Sequence, residues 1–149
     1  LSKHPAIVEN QAGQGRSIYF AGNIEEAYLE FHFAEHERLM AAPIRRWVAP
    51  LVLTDAPATV EVSLRYQEKR RRLMVHLVNY TAEMVRPFRR ILPVRDVKVT
   101  LPWVGKVASA KTLAAAAPLR HSLKNGLSIM IKEVGIHEVI VLEGVGKRP

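Results

Sequence analysis

Two apolar runs in the middle of the chain constrain the fold more than any other feature. The first, Leu73 to Thr81, is apolar at most positions, as expected for a strand that is buried on both faces. The second, Pro93 to Pro102, places Val97, Val99 and Leu101 on one face of an extended strand and polar residues on the other. Together the two runs predict a small antiparallel β-sandwich.

The rest of the C-terminal part has the spacing of further short strands. The alternation from Thr59 to Gln67 predicts one strand with a buried and an exposed face. Asn125-Gly126 predicts a two-residue hairpin turn, because both positions must tolerate positive φ. Strands are predicted over residues 59–67, 72–80, 96–101, 107–113, 119–123, 127–134 and 137–143. This pattern of about seven strands predicts a mainly β fold, with a sandwich domain over residues 58–149.

The N-terminal part has a different composition. Strands are predicted from Pro5 to Glu9 and from Arg16 to Gly22, joined by a glycine-containing hairpin turn. A one-sided apolar stripe predicts a helical segment from Glu35 to Val48. Pro43 either kinks this helix, which we favour, or begins a new one. Residues 1–50 would thus form a hairpin and a helix, too little for a complete domain. The two prolines near residues 51–57 predict an interdomain linker.

Composition sets the general class of the protein. The chain has 149 residues, 48% of them hydrophobic, which is typical of a globular protein. It has no cysteine, which excludes disulfides and thiol chemistry. No apolar run approaches the ~20 residues that span a bilayer, so no membrane partner is expected. With no initiator Met and no signal peptide at Leu1, we expect a piece of a longer soluble protein, with a cytoplasmic location slightly favoured over others.

The net charge of +8 is concentrated in two basic clusters. The candidate basic patch consists of Lys69, Arg70, Arg71, Arg72, Arg89 and Arg90. Such clusters can bind polyanions, but they are also common in loops beside apolar strands, where charge discourages edge-to-edge pairing. We favour the second interpretation and do not expect a nucleic-acid partner, because few aromatic side chains for base stacking accompany the clusters.

The sequence contains no evident reaction centre. Glu25 and Glu26 are adjacent and point in different directions in any regular conformation, so we interpret them as surface acids. His32 and His36 have the i, i+4 spacing of helical metal ligands, but no third ligand is evident. His76 lies inside a strand and is interpreted as a half-buried, hydrogen-bonded histidine. We therefore predict no catalytic, cofactor-binding or metal-binding residues and no cofactor.

The order of several segments resembles a known family, the large β-galactosidases with a (β/α)₈ catalytic barrel. The last hairpin and helix of their flavodoxin-like trimerisation domain resemble Pro5–Val8, Gly15–Ile24 and His36–Trp47. Their C-terminal β-domain resembles Arg72–Thr81, Arg86-Pro87, Ile91–Val97 and His137–Glu143. The resemblance implies a barrel upstream of Leu1 that carries the catalytic acids. This chain would then be a non-catalytic accessory and oligomerisation portion of a glycoside hydrolase.

An incomplete α/β domain has a physical consequence for the N-terminal part. A hairpin and one helix are too small to bury Phe20, Leu39 and Trp47, which we predict as an interface. The expected partners are a second copy of the chain or the upstream catalytic domain, and carbohydrate would be bound only by the parent enzyme.

Two other function classes remain open. A carbohydrate-binding sandwich would need a row of exposed aromatic side chains, for which Tyr66, Tyr80, Phe88 and Trp103 are available. A polyanion-binding module would use the basic patch and show steep salt dependence.

Overall fold

The structure is a computed structural model that describes residues 3–82, 87, 90–114 and 117–146. The chain divides into two compact units, the first ending at Ala49 (unit 1) and the second beginning at Pro50 (unit 2). No helix among the described residues is both long and apolar enough to cross a bilayer.

Unit 1 consists of a β-hairpin and two helices. Strand β1 (Ile7–Ala12) pairs antiparallel with β2 (Gly15–Phe20). The connecting turn is tight because Gly13 adopts a φ of 59°, which glycine reaches without steric cost. Helices α1 (Ile24–Phe31) and α2 (Ala34–Trp47) follow.

The helical part of unit 1 differs from the prediction. The structure has two helices where one helical segment was predicted, and α1 was missed although its half-buried Ile24, Ala27 and Tyr28 have helical i, i+3, i+4 spacing. It ends at His32, whose left-handed φ of 54° turns the chain into α2. Helix α2 continues through Pro43, whose ring is buried.

Unit 2 is built from two four-stranded antiparallel sheets. The first sheet has the order β4-β5-β10-β7 and the second the order β3-β6-β9-β8. The strands of the first sheet are β4 (Val60–Gln67), β5 (Arg72–Asn79), β7 (Ser109–Thr112) and β10 (His137–Glu143). Those of the second are β3 (Leu53–Thr54), β6 (Val94–Leu101), β8 (His121–Ser122) and β9 (Leu127–Val134). The predicted mainly β sandwich, preceded by a hairpin and helical segment, is confirmed.

The core of unit 2 lies between the two sheets. Alternate residues of β5 point inward, so Leu73, Val75 and Leu77 are buried while the intervening side chains are only half-buried. The same alternation buries Val97, Val99, Leu101, Leu127, Ile129, Ile131, Ile140 and Leu142. All of these side chains are valine, isoleucine or leucine, which suit packing between pleated surfaces.

The segment predicted as a linker, residues 51–57, is tied into unit 2. It contains β3, which pairs with β6, and the Trp103 indole N–H donates a hydrogen bond to the Leu51 carbonyl at 2.9 Å. The Asp55 carboxylate accepts a hydrogen bond from the Lys98 backbone N–H at 2.7 Å. A two-residue strand is too short to produce a sequence pattern, which explains why it was not predicted.

The turn at Asn125-Gly126 lies where the sequence predicts one, but the connection from β8 to β9 is longer than two residues. Gly126 has a φ of 84°. A Cβ atom at this position would lie 2.6 Å from the carbonyl oxygen of Leu101 and 2.6 Å from the Cα of Pro102. Glycine is thus needed for two reasons, its backbone conformation and its close approach to another segment.

Asn79, at the end of β5, is a buried polar residue with a full set of partners. Its side-chain N–H groups donate to the carbonyls of Leu92 at 2.8 Å, Val134 at 3.2 Å and Gly135 at 2.8 Å. Its Oδ1 accepts from the backbone N–H of Thr81 at 2.9 Å and from the Thr81 hydroxyl. Asn79 therefore links the residues just before β6 to the turn between β9 and β10 by hydrogen bonds.

Candidate functional site

Unit 1 leaves most of its large apolar side chains uncovered. Among its described residues only Pro43 is fully buried. The exposed set consists of Ile7, Val8, Tyr19, Leu29, Phe31, Phe33, Leu39, Ile44 and Val48. Because burial of apolar area is the main favourable contribution to folding, a unit with so little of it needs a further surface to cover these residues.

The three predicted interface residues are not all in one place. Phe20 and Leu39 line a shallow depression between the hairpin and α2, together with Ile7 and His36 (the hairpin depression). Phe20 is half-buried there, whereas 43% of Leu39 is exposed. Trp47 lies at the other end of α2. The structure therefore brings Phe20 and Leu39 together but separates both from Trp47.

Trp47 is held by charged side chains. The guanidinium carbons of Arg16 and Arg46 lie 5.9 Å and 5.5 Å from its ring centroid, within cation–π range. Arg46 also forms an ion pair with Glu9 on β1. The indole N–H is buried and has no hydrogen-bond acceptor in the structure. The C-terminal end of α2 is thus attached to the hairpin mainly by electrostatic contacts.

The hairpin has a second apolar surface that the sequence analysis did not single out. The strand register places Val8 directly opposite Tyr19, on the face away from Ile7 and Phe20. Tyr19 is 67% exposed and Val8 is exposed as well. The sequence could have indicated this pair. Successive residues of a strand point to opposite faces, and Val8 and Tyr19 are the immediate neighbours of Ile7 and Phe20, which line the hairpin depression.

The basic residues around the β4–β5 connection form the turn cluster, Lys69, Arg70, Arg71 and Arg72. Lys69 and Arg70 are exposed in a 3₁₀ turn, and Arg71 has a left-handed φ of 48°. Arg72 is different, because its Nη2 and Nε lie 2.6 Å and 2.8 Å from Glu143 Oε1. The hydrogen bond from Arg72 holds the pKa of the Glu143 carboxyl below its usual range. The charge of Arg72 is therefore compensated within the sheet.

Arg90 lies apart from the turn cluster. The neighbouring Ile91 and Leu92 contact the chain just after Asn79, at the end of β5 opposite Arg72. An eight-residue strand is about 25 Å long at ~3.3 Å per residue. Arg89 is outside the described residues. Among the described members, the predicted basic patch is thus two separate surfaces.

The acidic residues of the helices are solvent-facing. Glu25 and Glu26 lie in the first turn of α1, where negative charge is favourable. Glu26 also accepts a hydrogen bond from the Asn23 side chain at 2.9 Å. Both carboxylates are exposed, so neither lies in an enclosed cleft.

His32 and His36 do not lie on one helix. His32 ends α1 and His36 lies in the first turn of α2, so the i, i+4 spacing does not place them on one helix face. Each imidazole contacts an aromatic ring instead, His32 that of Tyr28 and His36 that of Phe33. The described residues contain no group of three potential metal ligands.

The aromatic side chains considered for carbohydrate binding are largely used inside unit 2. Trp103 is half-buried and donates to Leu51, and the Tyr66 hydroxyl donates to the Val145 carbonyl at 3.1 Å. Tyr80 is 55% exposed, and Phe88 is outside the described residues. The described part of unit 2 therefore presents no row of exposed rings.

Comparisons with known proteins extend these observations. No protein-family model matches the sequence, and a search of curated proteins gave no match. Among solved structures, the chain is similar to α-L-fucosidase isoenzyme 2 from Paenibacillus thiaminolyticus, with a TM-score of 0.76 and 22% sequence identity. The similarity covers 93% of this chain but only 22% of the fucosidase chain. The fold of the chain is thus that of about one fifth of a glycoside hydrolase.

Proposed function

We propose that this chain is a non-catalytic accessory portion of a glycoside hydrolase, with a structural role in packing and association of domains. The observation that carries the proposal is the asymmetry of the structural similarity, which spans nearly all of this chain and a small part of the fucosidase. Catalysis in the parent protein would then belong to another part of the polypeptide.

The distribution of acids supports a non-catalytic role. Glycoside hydrolysis needs two carboxyl groups about 5–10 Å apart on either side of the scissile bond. Glu9 and Glu143 are engaged in ion pairs with arginines, and Glu25 and Glu26 are exposed on α1. Two of these four carboxylates are thus used in ion pairs, and the other two are surface acids.

Unit 1 would be the end of an α/β domain of the trimerisation type. The support for this is the hairpin depression and the exposed Val8–Tyr19 face, which further strands of a larger sheet would cover. In the parent protein those strands would come from the upstream polypeptide. In the isolated chain a second copy is the partner we expect at these surfaces.

Two separate similarities bear on the type of parent enzyme. The sequence segments resemble a β-galactosidase, whereas the similar solved structure is an α-L-fucosidase. Both belong to the wider class of glycoside hydrolases. We propose the β-galactosidase type for the parent, and the reading frame upstream of Leu1 tests it directly, because it should then encode a (β/α)₈ barrel.

An activity assay tests the accessory role. The purified chain should hydrolyse neither an aryl β-D-galactoside nor an aryl α-L-fucoside. Turnover of either compound that is lost in Glu25→Gln or Glu26→Gln would contradict the proposal. Binding of unsubstituted oligosaccharide without turnover would favour a carbohydrate-binding module instead.

A further inference from the structure

Two histidines from distant parts of the sequence meet on the outer face of the first sheet of unit 2. His76 on β5 and His137 on β10 are 61 positions apart, and their Nδ1 and Nε2 atoms are 3.4 Å apart. The register pairs His76 with Val139 and His137 with Val78. The imidazoles therefore occupy one diagonal of a four-residue square, and the two valines occupy the other.

The rings face each other edge to edge. Their planes are inclined by only 15°, and their centroids are 5.5 Å apart, farther than the two nitrogens. A nitrogen–nitrogen separation of 3.4 Å is longer than the roughly 2.7–3.2 Å of an ordinary N–H hydrogen bond. It matches the separation of about 3.3 Å between two imidazole nitrogens that bind one tetrahedral Zn²⁺, given Zn–N bonds of ~2.0–2.1 Å.

His137 and Arg65 are the ionisable neighbours of His76 on this face. Val139, which flanks the pair, is buried although it is not part of the core cluster. The pair thus lies next to a buried apolar side chain of the outer face.

We propose that His76 and His137 form a two-ligand site for a borderline divalent transition metal such as Zn²⁺, Ni²⁺ or Cu²⁺. These ions prefer imidazole ligands, whereas Mg²⁺ and Ca²⁺ prefer oxygen. His76 binds through Nδ1 and His137 through Nε2, so each ring carries its proton on the other nitrogen.

Two positions of a tetrahedral ion remain open in such a site. The described residues provide no third ligand, so water or a donor from a partner molecule would occupy them. The positive charge of the neighbouring Arg65 disfavours a bound cation. Glu61, which pairs with Val78 on the same face, is the nearest acid in the strand register. We therefore expect a labile site that links β5 to β10 rather than a structural zinc centre.

Titration calorimetry of the full chain with Zn²⁺ alone tests the proposal. We expect one ion per chain at this site, reversal by EDTA, and a higher melting temperature with Zn²⁺, because an ion that binds only the folded state stabilises it. His137→Gln should weaken Zn²⁺ binding by at least about tenfold. Even the loss of a group that only hydrogen-bonds to a metal ligand commonly weakens metal binding by this much. His121→Gln is the matched control and should bind as the unchanged chain does.

His137 is the better residue to replace in this experiment, because its side chain is exposed. His76 is half-buried in a central strand, so its replacement can lower stability, but His137 is exposed at the start of β10 and its variant should fold normally. Equal Zn²⁺ binding by the unchanged chain and by folded His137→Gln would overturn the proposal. Binding lost in a His32→Gln variant but kept in His137→Gln would overturn it as well, because the ion would then belong to unit 1.

Discussion

Arg72 and Glu143 lie directly opposite each other on β5 and β10, and their ion pair joins the two strands at one end of the first sheet of unit 2. Two guanidinium nitrogens contact the same carboxylate oxygen. The side chains are 27% and 28% exposed, so water competes for them less than for a fully exposed pair.

Replacement of Arg72 should therefore lower stability moderately. We expect Arg72→Ala to reduce the free energy of unfolding by about 1 kcal/mol, because a partly buried carboxylate loses a charge-assisted hydrogen bond. Arg95→Ala is the control: it removes a 70% exposed arginine from its pair with Glu133 and should have almost no effect. Urea denaturation at neutral pH measures both, and equal losses in the two variants would contradict this assignment.

The same pair gives a pH dependence with a definite sign. The pKa of Glu143 is lowered in the folded state, so its stabilising contribution is present above 4.5 and is lost as the pH falls through the lowered value. Arg72→Ala should make the loss of stability in acid less steep. Melting temperatures measured from neutral pH down into the acid range test this. If the melting temperature fell as steeply with pH in Arg72→Ala as in the unchanged chain, Glu143 would not be the group responsible.

His76 should contribute a pH dependence near neutrality. Its pKa is lowered by desolvation, by His137 and by Arg65, so folding favours the neutral imidazole. The contribution is fully present above 6.5, the unfolded value, and decreases as the pH falls towards the lowered folded value. In metal-free buffer, His76→Gln should reduce the change in melting temperature over this range, whereas His121→Gln should leave it unaltered.

Leu77 should be one of the most sensitive core positions. It has no exposed surface and lies on the inner face of a central strand, so Leu77→Ala should cost roughly 2–5 kcal/mol. This is a large part of the 5–15 kcal/mol that is typical of a whole domain. Met130→Ala removes a side chain that is 48% exposed and serves as the control. If the two variants melted at the same temperature, Leu77 would not be a core residue.

Gly126 should not tolerate even alanine. A methyl group there would meet the backbone of Leu101 and Pro102 at 2.6 Å, in addition to the strain of a positive φ. We expect Gly126→Ala to destabilise unit 2 by at least ~1–3 kcal/mol. Gly135→Ala, at a position with nothing within 4 Å of the added atom, should change stability by much less. Chemical denaturation compares the two.

Self-association through unit 1 can be measured by sedimentation. The chain should form dimers or larger species as its concentration rises, and Leu39→Asp should shift the equilibrium towards monomer, because it places a charge in the hairpin depression. Ile136→Asp, at an exposed apolar position in unit 2, is the control. A chain that is strictly monomeric at high concentration, with Trp47 protected from quenchers, would contradict the truncated-domain hypothesis.

The sequence predicted those elements whose pattern comes from burial on one or two faces. The bounds of β9 and β10 agree with the prediction because both strands contribute alternate residues to the core. Strand β3 is too short to show a period. Helix α1 does have one, in Ile24, Ala27 and Tyr28, but it was not used in the prediction. The position of β3 depends on its pairing with β6, which no local pattern encodes.

The candidate site residues likewise divide into those that a local sequence pattern indicates and those that only the folded structure brings together. Leu39 and Trp47 were grouped because both belong to the apolar stripe of one helix. Eight residues of helix separate them by about 12 Å, so they contact different parts of the hairpin. His76 and His137 come together only through the pairing of β5 with β10, and nothing in the spacing of 61 residues could indicate their contact.

The order of the strands within the two sheets limits how unit 2 can be divided. Each sheet takes two strands from the first half of the unit and two from the second: β4 and β5 with β7 and β10, and β3 and β6 with β8 and β9. A cut between β6 and β7 would halve both sheets and expose the core on either side of it. Unit 2 should accordingly unfold in a single transition, and gene fusion should transfer it between larger proteins only as an undivided block.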